Sequence, residues 1–147
     1  MHWLMDITKE QLQDVIQIVK HGAAVGAFGY NMERSTTDYE IVEKLLNDEI
    51  DLYYICNNID KQFPAICMAA VRQDGYALNC IKEQTPELCM AAVQQDGWAL
   101  QFVKDQTPEI CLAAVRQNDN THRFIRSTEL RASIRRGDKL ADTTLLP

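Results

Sequence analysis

The sequence predicts an all-α fold, a short α-solenoid of helix-turn-helix repeats closed by helical N- and C-terminal caps. The first observation behind this is a phrase written three times. Pro64-Ala-Ile-Cys-Met-Ala-Ala-Val-Arg-Gln-Asp-Gly-Tyr-Ala-Leu is followed by Pro86-Glu-Leu-Cys-Met-Ala-Ala-Val-Gln-Gln-Asp-Gly-Trp-Ala-Leu. A third copy opens Pro108-Glu-Ile-Cys-Leu-Ala-Ala-Val-Arg-Gln and then drifts. Proline recurs at 64, 86 and 108 and cysteine at 67, 89 and 111, a period of 22 residues. A fixed period in the low twenties marks a stacked repeat. The second observation is helical spacing of apolar residues on both sides of each Asp-Gly pair. The third is a helix-start signature, hydroxyl then proline then acid, at Thr85-Pro86-Glu87.

In chain order, Met5 to His21 reads as an amphipathic helix. Thr8 caps it with Gln11 in the reciprocal capping-box position. Leu12, Val15, Ile16 and Val19 form one apolar stripe. Gly22 is placed to end the helix in a left-handed cap. The glycines at 22, 26 and 29 match no phosphate-binding or dinucleotide pattern, so His21 to Tyr30 reads as a short buried helix or turn with small residues for close packing. Thr37-Asp-Tyr-Glu40 is a second capping box, opening a helix with Ile41, Leu45 and Leu46 on one side. Tyr53-Tyr54-Ile55-Cys56 follows as its partner helix. Thr37 to Gln62 therefore reads as a degenerate first repeat.

Within a full repeat, Leu88, Cys89, Ala92 and Val93 share one face. Gly97 reads as a helix stop with a left-handed cap, and a second α-helix of about nine residues, roughly 13 Å, follows it. Helices that short are unstable alone and depend on their neighbours. The third copy has Asn118-Asp119 in place of Asp-Gly. Both residues tolerate the left-handed conformation, so the turn is expected to survive. Ser127 to Gly137 reads as a last amphipathic helix with Leu130 and Ile134 inward, and Asp138 to Pro147 as a mobile tail. The organisation is thus an N-terminal cap over 1–36, an array over 37–126, and a capping helix with its tail over 127–147, all in one compact unit.

The phrase Thr-Pro-Glu-Leu-Cys-Met-Ala-Ala-Val-Gln-Gln-Asp-Gly-Trp-Ala-Leu-Gln-Phe-Val resembles the repeat of the family called domain of unknown function 4116. The shared anchors are Ala-Val, Gly and Ala-Leu, in tandem. The resemblance covers about the middle half of the chain and leaves residues 1–36 untouched. It implies an α-helical array and brings no catalytic residues with it. Similar repeats in bacterial, protist and viral proteins imply an adaptor, effector or inhibitor.

The composition narrows the function classes. The 147 residues carry a net charge of -6, unevenly spread: residues 1–63 are net -6, residues 64–117 net -2 and residues 118–147 net +2. An acidic body argues against broad nucleic-acid binding. No run is long and apolar enough to span a bilayer, and the N-terminus lacks a secretory signal. Five cysteines that follow the repeat rather than a metal-binding spacing point to a reducing, cytoplasmic setting, or the host-cell interior for a viral protein or effector.

Cys67, Cys89 and Cys111 fall on the inward face, where free cysteine acts as a small apolar group. Equivalent positions on stacked helices lie about 8–10 Å apart, beyond the roughly 7 Å Cα separation of a disulfide. Cys56 and Cys80 read as equally structural. His2, His21 and His122 are scattered and have no ligand spacing. No cofactor, metal or catalytic residue is expected, and the chain reads as non-enzymatic.

Positions that vary while the scaffold holds are the candidates for recognition: Arg72, Gln94 and Arg116; Tyr76, Trp98 and Asn120; Asn79, Gln101 and Arg123. Aromatic and arginine side chains dominate binding hot spots, so Trp98 and Tyr76 lead, with Arg72, Arg116, Gln101 and Arg123 beside them. A column that accepts tryptophan, tyrosine and asparagine is expected at the rim of the stack, and the competing reading is that Trp98 packs beneath a loop. Arg126, Arg131, Arg135 and Arg136 are expected to meet phosphate or an acidic surface. The expected function is protein–protein interaction, as an inhibitor or effector on a partner's surface. Self-association, nucleic-acid association through the arginines, and an enzyme without a recognisable motif are the alternatives.

Overall fold

A computed structural model describes residues 2–29, 32–33 and 35–137. Among them all regular structure is helical and no strand is present. The expected tail from Asp138 lies outside the described residues. Helix α1 is Lys9–Ala24, α2 is Asp38–Leu46 and α3 is Leu52–Asn58. Then come α4, Pro64–Gln73; α5, Pro86–Gln95; α6, Pro108–Gln117; and α7, Thr128–Arg136. A short 3-10 turn, Trp3–Asp6, precedes α1 and packs on α4.

Each 22-residue copy folds as an α-helix followed by a 3-10 helix: α4 with Gly75–Cys80, α5 with Gly97–Phe102, α6 with Asp119–Phe124. Helices α4, α5 and α6 pack side by side in one row, and the 3-10 helices pack in a second row behind them. The result is a short α-solenoid. Ile66, Cys67, Ala70 and Val71 of α4 are buried, as are the equivalent Leu88, Cys89, Ala92 and Val93 of α5. Ala92 has no exposed surface, since it lies where the rows meet.

The second element of each repeat departs from the expected nine-residue α-helix: it is a six-residue 3-10 helix. At about 2.0 Å per residue, six residues span roughly 12 Å, close to the length of the α-helix they must run back along. Asp74, Asp96 and Asn118 open these helices by accepting from the backbone N–H two residues on. The degenerate copy uses the same device. Asp51 accepts from Tyr53 N–H, and the seven residues of α3 run as α-helix.

Gly97 also departs from expectation: neither it nor its equivalent Gly75 adopts a left-handed backbone. Both are glycine because the next helix leaves no room for more. A Cβ on Gly97 would stand 2.7 Å from the Ala114 carbonyl oxygen, and one on Gly75 would stand 2.6 Å from that of Ala92. In the third copy the equivalent position is Asp119, which is exposed even though α7 packs against its 3-10 helix. Its Asn118 is extended, at φ -153°, so the Asn-Asp turn survives through a side-chain cap rather than a left-handed residue.

Glutamine holds the copies in register. Gln62 donates to the carbonyls of Cys56 and Cys80 and accepts from Lys82 N–H. Gln84 donates to Phe102 O and accepts from Lys104 N–H. Gln106 donates to Leu100 O and Phe124 O and accepts from Arg126 N–H. A second line of glutamines ends the α-helices. Gln73 accepts from Leu52 N–H, and Gln117 accepts from Gly97 N–H at 2.7 Å.

At the N-terminal end, α1 carries both halves of the Thr8–Gln11 capping box. Val15, Ile16 and Val19 are buried. Gly22 does not end the helix; it lies inside it and is buried. Its missing Cβ makes room for Phe28 and Tyr54, whose rings meet edge-on at 5.0 Å. At Thr37 the forward half of the box forms, from Glu40 N–H. Leu46, expected on the apolar side of α2, is exposed. At the C-terminal end Leu130 and Ile134 pack against the core only partly buried, and Gly137 closes α7 at φ 73°.

Three substitutions test this account. Gly97→Ala should lower stability by about 1–3 kcal/mol, an overpacking cost, whereas Asp119→Ala should leave the melting temperature near native. Gln84→Leu should cost about 1–3 kcal/mol, because the Phe102 carbonyl and the Lys104 N–H lose their partner. Chemical denaturation of both series checks the prediction.

Candidate recognition edge and thiol cluster

The capping Asp51, Asp74 and Asp96 each place an aromatic residue two positions later: Tyr53, Tyr76 and Trp98. The three therefore hold equivalent places along the second row, and Asn120 holds the fourth. A side chain of the following repeat meets each ring. Asn79 Nδ2 donates to Tyr53 Oη at 3.4 Å and Gln101 Nε2 donates to Tyr76 Oη at 3.3 Å. Arg123 lays its guanidinium 4.8 Å from the Trp98 ring centre. Behind this line Phe102 meets Tyr76 edge-on at 5.2 Å, and Phe124 meets Trp98 in the same way at 5.2 Å.

The edge is open to solvent in parts. Tyr76 is 40% exposed. Asn79, Gln101, Asn120 and Arg123 are exposed as well, while Tyr53 and Trp98 are half-buried. Trp98 is therefore partly a packing residue, with Phe124 on one side and Arg123 over its face. Tyr53 and the two phenylalanines were not among the expected site residues. The capping aspartate two positions before Tyr53 was the available signal.

The remaining candidates lie apart from this edge. Arg72 lies in the last turn of α4 and borders a groove of about 440 Å³ beside the N-terminal 3-10 turn, with His2, Trp3, Asp48 and Met68 on its walls. Arg116 is exposed in the last turn of α6. Arg126 is committed to the scaffold: its guanidinium donates to Val103 O at 2.6 Å and to Lys104 O at 2.7 Å. Lys104 makes the equivalent contact one repeat earlier, from Nζ to Lys82 O at 3.0 Å. Arg131 is half-buried in α7. Arg135 and Arg136 lie in its last turn, where cations complement the helix dipole, and Arg136 reaches Ser133 Oγ.

All five cysteines are unpaired thiols. Cys89 and Cys111 lie in the core, where each thiol donates to a clamp glutamine, Gln84 Oε1 at 3.5 Å and Gln106 Oε1 at 4.0 Å; burial pushes both up, and Cys111 reaches about 11 from an ordinary 9.0. Cys56 differs. The neighbouring thiols of Cys67 and Cys80 push Cys56 up, and Cys56 in turn holds both of them down. The 22-residue spacing did not reveal this grouping, which draws on α3, α4 and the first 3-10 helix rather than on one column. Among the described residues, no group of three or more His, Cys, Asp or Glu side chains is arranged to hold a metal ion. Nor, among them, is any helix long and apolar enough to cross a membrane.

No protein-family model, no curated protein and no solved structure matches this chain.

The buried thiol sets a pH dependence. An unfolded Cys111 ionises near 9.0, while the folded one stays protonated until about 11. Its contribution to stability is complete below 9.0 and is lost as the pH rises towards 11. In denaturation measured across that window, Cys111→Ala should show a shallower decline than the native chain.

Proposed function

We propose that this chain is a non-enzymatic protein–protein interaction module, an inhibitor or effector that engages its partner through the edge of the second row. Its array is of the domain of unknown function 4116 type, and it works in a reducing compartment. The observation that carries the reading is Tyr76, a large aromatic 40% exposed yet fixed on both sides. Phe102 supports its ring and Gln101 holds its hydroxyl. A side chain already immobilised loses little entropy on binding, and tyrosine, tryptophan and arginine are the residues that dominate hot spots. Trp98 and Arg123 extend the same edge by one repeat, so the partner meets an aromatic, hydrogen-bonding strip. The unpaired thiols agree with a reducing setting.

A photo-crosslinking residue placed at Tyr76, at Gln101, or on the opposite row at Glu109 tests the reading in native-host cells. The expected result is one partner captured from 76 and 101, not from 109, with Arg123→Ala weakening capture from 101. Arg123→Ala should cost less than about 1 kcal/mol in stability, the scale of an exposed cation–π contact, so a binding loss is separable from unfolding. Equal capture from all three positions would place recognition elsewhere.

A further inference from the structure

We propose that the chain associates with copies of itself head to tail, the outer face of α2 in one copy meeting α7 of the next. The two surfaces belong to opposite ends of the stack. Helix α2 packs on α1 at the N-terminal end, and α7 packs on the last 3-10 helix, Asp119–Phe124. Terminal elements of a helical array ordinarily turn a polar face outward, which keeps copies apart. Helix α2 does not. Ile41 and Leu45 are buried on its inner side. Tyr39, Glu43 and Leu46, spaced at i, i+4 and i+7, share the opposite face. Tyr39 is 78% exposed there and Leu46 46%.

Charge selects the occupant. Helix α2 holds three acids and one lysine. Asp38 is paired with Lys20, and Lys44 with Glu49. Glu40 and Glu43 make no ion pair or side-chain hydrogen bond among the described residues. The carboxylates beside Tyr39 and Leu46 are therefore uncompensated. Helix α7 is the reverse, with three arginines, one glutamate and no fully buried residue. Leu130 and Ile134 leave apolar surface open beside Arg131 and Arg135. Neither of these two arginines has an ion pair or side-chain hydrogen bond among the described residues. Each charged pair stands one helical turn apart, about 5–6 Å, so two cations can meet two anions in one register. A guanidinium also stacks on a tyrosine ring, which Tyr39 offers. The net charges of -6 over residues 1–63 and +2 over residues 118–147 orient an approaching copy in the same sense.

Sedimentation equilibrium of the full chain, over a range of concentrations, reads the association. In about 0.1 M salt the average mass should rise with concentration above that of one chain. It should fall back towards one chain in about 1 M salt, where the Debye length shrinks from roughly 10 Å to 3 Å. Glu40→Lys with Glu43→Lys should abolish association, and so should Arg131→Glu with Arg135→Glu. Mixed in equal amounts, the two variants should associate again, because the reversed α2 of one meets the reversed α7 of the other. Tyr39→Ala should weaken association with the melting temperature near native, and it keeps the test open if a charge-reversed helix fails to fold. A chain that stays single at every concentration in low salt would overturn the proposal. So would association indifferent to the α7 arginines, or no recovery on mixing two folded variants. The contact uses neither Tyr76 nor Trp98, so its failure and that of the partner-binding edge are read separately.

Discussion

The carboxamide at the junction between repeats is the interaction on which the rest of this structure depends. Each repeat consists of an α-helix of ten residues and a 3-10 helix of six, lengths that do not persist in water alone. Each 3-10 helix also ends in extended backbone, leaving carbonyls and an N–H that a following turn would otherwise satisfy. Gln62, Gln84 and Gln106 supply both kinds of partner from one side chain. Only a group that donates and accepts at once can do this, which excludes lysine, glutamate and any apolar residue. Lys104 and Arg126 add a second tie, each reaching a carbonyl of the preceding repeat.

With the junctions fixed, the glycines set the spacing between copies. The carbonyls of Ala92 and Ala114 approach Gly75 and Gly97 closely enough to forbid a Cβ. The rows therefore close tightly, and Ala70, Ala92 and Ala114 keep the interface thin. That tightness brings residues about one repeat apart in sequence into contact along the second row. Gln101 reaches Tyr76, and Arg123 reaches Trp98, because the copies stand at that distance. The edge offered to a partner is thus a by-product of the stacking.

By itself the sequence determined that the chain is a helical array, where each copy begins and which face is buried. These follow from local chemistry: Thr-Pro-Glu starts a helix, and Leu88, Cys89, Ala92 and Val93 lie on one side of it. The glutamine clamp was also written there, at a fixed two positions before each proline, but a polar residue near a turn has many uses and its partner lies some twenty residues away. Tertiary structure decided the remainder. It chose 3-10 over α for the second element, because the return path has a fixed length and few residues to cover it. It gave Gly22 and Gly97 a packing purpose where a left-handed turn was expected, since a missing Cβ serves either end and only the neighbour decides. It likewise turned Arg126 inward to backbone carbonyls and left Tyr76 in solvent, because burial belongs to the stack and not to the residue.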